Sequence, residues 1–569
     1  MINSKLEIPN HLKSYIVDQE YSAYTAIDHA SWRFIMKISI DFFSKYAHSS
    51  YIDGLYQTGI TKESIPRISN INTKLNNLNW KAVPVRGFLP PTIFMQFQSH
   101  SILPIASDMR TLNHLTYTPA PDIVHEAAGH SPIIADKSYS KYLSNYGNAA
   151  SKAIYSRYDH EVYMAIRDLS DIKEDPKSLL DEITRAEDKL KSLTESIPFI
   201  SEAAYLARLN WWTVEYGLVG EINNPKIFGA GLLSSVGESY NAIFGDVKKI
   251  PLSLDCINYS YDITEQQPQL FVAKDFNHLS EVLKELTENM AFNKGGISSI
   301  KKAIDSQSVC TFKLDSGVEI SGLPTNFIGD QKEDFFKFTG PVQISYEGKE
   351  LEGHDGGYHA DGFSSPLCDN RIIEQISSAS DNEYINLNFK SGIKLSGMLN
   401  NKLMHNQKLL IASFSDCKVT KEDQILFDSS WGTFDLACGT SIISVYGGPS
   451  DIENYLKYMD IELPNLKKPS YCISNTKEIK SIDELYEEVR HIREIGKLDE
   501  NRIKEIIYQI ESINPEEWLI KYELMEILLN FKTNESKLYN NLKSQIIKIS
   551  EKNTDLQQSI LRGIKSIEN

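Results

Sequence analysis

The spacing of apolar residues changes character twice along the chain, and those two changes limit its fold more than any other feature. Residues 1 to about 75 read as helical with polar caps, as around Tyr24-Thr25-Ala26-Ile27-Asp28-His29-Ala30-Ser31-Trp32-Arg33; Trp80 to Pro91 reads as a short strand ending in a Gly/Pro loop, and helical stretches follow His130 until about residue 300. Beyond it come alternating, strand-like runs with Gly, Asn and Asp turns. Two of these runs resemble each other, Asp315-Ser316-Gly317-Val318-Glu319-Ile320-Ser321-Gly322 and Lys390-Ser391-Gly392-Ile393-Lys394-Leu395-Ser396-Gly397. They predict duplicated hairpins in a β-rich barrel or sandwich, with later strands near Trp431 to Phe434 and Ser441 to Tyr446. The end of the chain turns helical again. Ser481 to Glu484 reads as a capping box followed by Leu485, Val489 and Ile492 on one face; Asn514-Pro515 reads as a helix start, and Leu538, Leu542, Ile546 and Ile549 as a third stripe. Such stripes are expected to be intramolecular core. The expected division is 1–300, 305–470 and 475–569, within the two to four domains that 569 residues suggest.

Composition removes several classes of function. A formal net charge of -17, with no lysine- and arginine-rich block, argues against binding to nucleic acid. The six cysteines (Cys256, Cys310, Cys368, Cys417, Cys438, Cys472) are widely spaced without a C-x-x-C pair, so neither a zinc knuckle nor a disulfide framework is indicated. The start, Met1-Ile2-Asn3-Ser4-Lys5, lacks an apolar signal core, and no apolar run is long enough to span a bilayer. A cytoplasmic location is the expectation. The charged segment Glu174 to Glu195 reads as a solvated helix face.

The chemistry concentrates in Pro121-Asp122-Ile123-Val124-His125-Glu126-Ala127-Ala128-Gly129-His130, where Asp122 suits a helix N-cap and Gly129 a helix end. Zinc peptidases place their histidines four apart, about one turn, in H-E-x-x-H. Here the interval is five, which on an α-helix rotates the second ring by roughly 140°. Convergence then requires the helix to end or unwind near Gly129, and a zinc peptidase is disfavoured. The best third ligand is Glu215 in Asn210-Trp211-Trp212-Thr213-Val214-Glu215-Tyr216-Gly217. Two imidazoles and one carboxylate on a single face leave three positions open on an Fe(II) ion. A second stretch, Gly353-His354-Asp355-Gly356-Gly357-Tyr358-His359-Ala360-Asp361-Gly362, could also hold a metal, but histidine and aspartate among glycines is a weak signal and the preferred reading is a polar loop.

At these residues the chain resembles the pterin-dependent aromatic amino acid hydroxylases, closest to phenylalanine 4-hydroxylase. The resemblance runs through Pro84-Val85-Arg86-Gly87-Phe88-Leu89, Tyr117-Thr118-Pro119-Ala120-Pro121-Asp122, the two-histidine stretch, Thr213 to Leu218, Gly229-Ala230-Gly231-Leu232-Leu233-Ser234-Ser235, and Thr264-Glu265-Gln266-Gln267-Pro268. It covers residues near 10 to near 290 and none of the second half. It implies a mainly α catalytic domain of the hydroxylase type, followed here by a β-rich domain and a helical C-terminal tail. It also implies Fe(2+), a tetrahydropterin, O2 and an amino-acid substrate. The regulatory domain that precedes the catalytic part in vertebrate hydroxylases is expected to be absent.

The same resemblance assigns roles by position. His125, His130 and Glu215 would be the metal ligands. Gly87, Leu89 and Phe94 would line the pterin, and Glu126 would face pterin and metal. Arg110 would hold the substrate carboxylate through a two-bond guanidinium fork. Thr118, Pro121, Trp211, Gly231, Ser234 and Ile263 would lie on the substrate side, with Ser234 and Asp122 also supporting the ligands. The aliphatic Ile263 favours phenylalanine over tyrosine, where an acidic residue is usual. Pro90-Pro91 and Asn210 depart from the family pattern, the latter from a usual tyrosine. The alternatives are tyrosine or tryptophan hydroxylation, or a binding or regulatory protein that keeps the fold without turnover.

Overall fold

The computed structural model describes residues 7–87, 89–112, 115, 121–174, 178–261, 266–329, 334–459, 477–497, 499–531, 537–552 and 554–568. The helix Ala26–Tyr46 is the spine of the first half. Thr25 starts it with a reciprocal cap: its hydroxyl accepts from Asp28 N at 3.2 Å, and the Asp28 carboxylate accepts from Thr25 N at 2.8 Å. Trp32, Phe34, Met36 and Phe43 are all buried and do not share one face, so this helix needs partners on several sides.

Some of those partners come from the far end of the chain. Helices Lys477–Ile495, Trp518–Asn530 and Thr554–Glu568 pack against Ala26–Tyr46 and join the same apolar core as the first half. Phe34 meets Trp518 and Tyr522 edge-on, with ring centroids 4.9 and 5.0 Å away. A Cβ at Gly563 would lie 2.4 Å from the Phe34 ring, so glycine is what lets the last helix approach. Arg33 binds the buried carboxylate of Glu523 through Nε at 2.8 Å and Nη2 at 2.6 Å. Leu485, Val489, Ile492, Leu542 and Ile546 are buried in this core, as their spacing predicts. Ser481, however, lies inside the helix Lys477–Ile495 rather than at its cap, and the helix after Asn514-Pro515 begins only at Trp518.

Within the first half, strand Lys81–Val85 pairs in parallel with Ile102–Ala106 across the helix Pro91–Ser99. Pro91 takes the first helical position, where a missing N–H costs nothing. The charged helix Leu180–Glu195 buries no residue, in keeping with a solvated face. No helix among the described residues is long and apolar enough to cross a membrane.

The middle region is a structural duplication. Helix Gly296–Ser306 leads into strands Cys310–Leu314, Val318–Ile328 and Phe335–Tyr346, on which Gly362–Pro366 pairs. Helix Asn370–Ser378 leads likewise into Glu383–Asn388, Ile393–His405 and Lys408–Lys421, on which Phe434–Ala437 pairs. The two similar sequence segments fall at equivalent places, each leaving a turn whose glycine has positive φ, Gly317 at 98° and Gly392 at 83°. Strand Ile442–Gly447 then returns to pair with Cys310–Leu314 of the first sheet. The result is two antiparallel sheets with no strand pairing between them among the described residues, in contact through apolar residues such as Leu410, Ile411 and Ala437 of the second, which pack into the core of the first.

Candidate metal centre

The two histidines of the first half sit on a helix that neither ends nor unwinds at Gly129. Val124–His130 is a π-helix that continues into Ser131–Ile133. A π-helix closes its hydrogen bonds from i to i+5, so residues five apart come over one another. This corrects the expectation drawn from an α-helix: the turn widens instead of breaking. Asp122 does act as the cap, its Oδ1 accepting from His125 N at 3.0 Å. Gly129 has a different task from a helix end, since a Cβ there would lie 2.7 Å from the carbonyl oxygen of Ala230.

Glu215 arrives the same way. It closes the π-helical turn Trp211–Glu215, where Tyr216 N donates to Trp211 O at 2.9 Å. The segment carrying Gly229 and Gly231 packs directly behind it; a Cβ on Gly229 would be 2.4 Å from Glu215 O. Glycine is therefore required there to bring the two ligand-bearing elements together.

The three donors meet at one point. His125 Nε2 and His130 Nε2 are 3.2 Å apart, and the Glu215 carboxylate is 3.3 Å from the first and 3.4 Å from the second. Donors about 2.1 Å from one ion lie about 3.0 Å apart at right angles and about 3.4 Å apart in a tetrahedron. The observed spacings fit three donors around one ion. Burial pushes the Glu215 carboxyl up, but the two imidazoles beside it outweigh that and hold it well below the usual carboxylate range.

Ser234 fixes the tautomer of His125. Its hydroxyl proton goes to Gly231 O at 3.1 Å, so toward His125 Nδ1, also at 3.1 Å, it can only accept. His125 then carries its proton on Nδ1 and presents the Nε2 lone pair to the centre. Glu126 is buried, with Oε2 3.9 Å from His130 Nε2 and no hydrogen-bond partner. Burial pushes its pKa up to about 8, against the pull of His130.

Residues 12–159 and 189–295 match the family model described as biopterin-dependent aromatic amino acid hydroxylase. That match falls in the first half of the chain and carries the resemblance to this family. Over 274 residues it is 27% identical to the phenylalanine-4-hydroxylase of Mesorhizobium japonicum, covering 48% of this chain and 83% of that one. With the phenylalanine-4-hydroxylase of Pseudomonas aeruginosa it shares 25% identity, covering 47% and 86%. A similar solved structure is Chromobacterium violaceum phenylalanine hydroxylase with iron(III) and 7,8-dihydrobiopterin, at 22% identity, 50% and 94% coverage and a TM-score of 0.37.

Among the residues assigned by position within the first half, Arg110 stands differently from expectation. Its Nε and Nη2 bind Asp122 at 2.7 and 2.9 Å, while Nη1 donates to Ser234 O at 3.2 Å and Leu115 O at 3.4 Å. The two-bond fork is thus spent on Asp122. What remains for a substrate is the charge and one N–H. Trp211 is packed between Tyr261, stacked at 4.3 Å, and Tyr216 at 4.6 Å, and its Nε1 donates to Gln267 at 3.2 Å. Gln267 N donates to buried Glu238, which also accepts from Tyr216. Burial raises the Glu238 pKa to about 7. Nothing in the local sequence marked Tyr216, Glu238 or Gln267 as a connected set.

Leu89 and Phe94 sit apart, in a small apolar cluster with Leu12, Tyr15, Val83, Val85, Phe97 and Ile102, next to Gly87 at φ 62°. Pro121 is half-buried just before Asp122, and Gly231 lies against the Tyr216 ring. Thr118 and Ile263 fall outside the described residues. The side-chain oxygen of Asn210 is buried without a hydrogen-bond partner.

Proposed function

We propose that this hydroxylase uses Fe(II), a tetrahydropterin and O2 to convert L-phenylalanine to L-tyrosine. The observation that carries the reading is the convergence of His125, His130 and Glu215 within 3.4 Å of one another, with one imidazole oriented by Ser234. That donor set suits Fe(II) and leaves positions open on one face. Bound there, iron and pterin supply the electrons that activate oxygen.

The protein's contribution is placement. Ser234 keeps the His125 lone pair on the metal, and its carbonyl also holds Arg110, so ligand geometry and substrate position are tied to one residue. Arg110, already oriented by Asp122, offers its charge and remaining N–H to the substrate carboxylate. Trp211, braced by Tyr216 and Tyr261, forms a wall for the substrate ring; Thr118, Pro121, Gly231 and Ile263 are assigned to the substrate by the sequence resemblance alone. Gly87, Leu89 and Phe94 would line the pterin, and Glu126 keeps a buried, unpartnered oxygen 3.9 Å from the ligand nitrogen of His130. Phenylalanine is favoured because Ile263 is aliphatic and because the curated relatives above are phenylalanine-4-hydroxylases.

The test is anaerobic loading of the full chain with Fe(II), followed by phenylalanine, tyrosine or tryptophan with tetrahydropterin and air. Product is counted against pterin oxidised. Coupled tyrosine formation from phenylalanine supports the proposal; coupled hydroxylation of tyrosine or tryptophan alone moves it to that substrate. Absence of iron-dependent turnover with all three overturns it.

A further inference from the structure

The stretch Gly353–Gly362 is not a solvated polar loop: His354 and His359 are each only 7% exposed. Their backbone is fixed to the strand Phe335–Tyr346, whose Ile344 N donates to His354 O at 3.0 Å and whose Val342 N donates to His359 O at 3.1 Å. The neighbouring carboxylate, Asp355, is spent on the turn, accepting from Gly357 N at 2.9 Å and Tyr358 N at 2.8 Å. The two rings are thereby brought nitrogen to nitrogen, His354 Nδ1 and His359 Nε2 lying 3.2 Å apart.

A third donor comes from the other sheet. Asp435, on the strand Phe434–Ala437, is 5% exposed, and its carboxylate lies with the two imidazole nitrogens inside a 4.8 Å cluster. Ser413 Oγ donates to Asp435 Oδ1 at 2.5 Å, steadying the carboxylate. No lysine or arginine among the described residues forms an ion pair with it. A proton shared between the histidines would satisfy those two rings and leave Asp435 held only by the Ser413 and Tyr358 hydroxyls, in a burial that pushes its pKa up. One divalent ion answers all three donors at once.

We propose that His354, His359 and Asp435 form a second metal site that takes a divalent transition ion of the zinc type, with water in the remaining position. The ion ties the two sheets together. It joins a loop of the first repeat to the strand Phe434–Ala437 of the second, where the repeats already touch through Ala437 N donating to Ser365 Oγ at 3.1 Å. Leu410, Ile411 and Ala437 of the second sheet already pack into the apolar cluster of the first, and a metal cross-link at this seam adds to that contact.

The full chain, stripped with a chelator, reloaded with Zn(II) and desalted, is assayed for bound metal and thermal unfolding. The expected result is about two equivalents in the unaltered chain and about one in His130→Ala, because the second site is untouched there. His359→Gln and Asp435→Asn, checked for unchanged circular dichroism, should each lose about one equivalent, and zinc should no longer raise their unfolding temperature. A His130→Ala chain that retains no zinc overturns the proposal, as do folded His359→Gln and Asp435→Asn chains that hold as much metal as the parent. Should the seam variants fail to fold, the His130→Ala count alone still decides.

Discussion

His125 and His130 are separated by the same interval as His354 and His359, yet the chain brings the two pairs together by different means. In the first half a helix widens to i→i+5 bonding, and close-packed glycines behind it hold the second ligand-bearing turn against it. In the β region a glycine-turned loop is pinned to a strand, and the carboxylate comes from a different sheet. An interval in the sequence therefore sets a distance along the chain and little more. What the backbone does between the two residues decides whether the rings meet.

The comparison is broken most sharply by removing the carboxylates. Glu215→Ala should abolish both iron retention and hydroxylation, whereas Asp435→Asn should leave hydroxylation of the iron-loaded chain close to that of the parent; product assay on the two variants side by side checks this. Next in size is the buried Arg33–Glu523 pair, one of the ion pairs between tail and first half. Glu523→Ala strands the buried Arg33 guanidinium and should cost about 3–5 kcal/mol in denaturant unfolding. Replacing both residues with apolar ones of similar volume should recover most of that loss.

Ser234→Ala probes how the first pair is oriented. Without the hydroxyl, His125 can choose the wrong tautomer, and metal affinity should fall roughly 10–100-fold with the fold intact, as read by competition with a chelator. The smallest effects separate the two glycine roles. Gly129→Ala places a methyl 2.7 Å from Ala230 O and should cost about 1–3 kcal/mol and disturb iron binding. Gly353→Ala meets nothing within 4 Å, but it must hold φ at 79°, for about 1–2 kcal/mol. That loss should appear in unfolding while hydroxylation is unchanged.

Much of the first site was legible because its residues fall in short ordered motifs: both histidines, Glu215, Arg110 and Ser234 can be placed by position. The mode of convergence was not, since a five-residue interval is incompatible with an α-helix and the sequence carries no mark for a π-helix. Nor was the Arg110–Asp122 pair, because a cap residue and a guanidinium look independent until the chain folds one over the other. The repeat in the β region could be read from its two Ser-Gly turns, but not that the repeats form separate sheets. Asp435 was invisible, being one acid on a strand far from the histidines. The tail stripes announced a buried face without naming its partner; complementarity between Phe34, Gly563 and Trp518 exists only in three dimensions.

Whether hydroxylation depends on the helical histidine pair and not on the loop pair is decided by assaying tyrosine formation in Fe(II)-loaded His130→Ala and His359→Gln chains. The first should give no coupled product and the second near-parent coupling. Coupled product from His130→Ala would contradict that dependence.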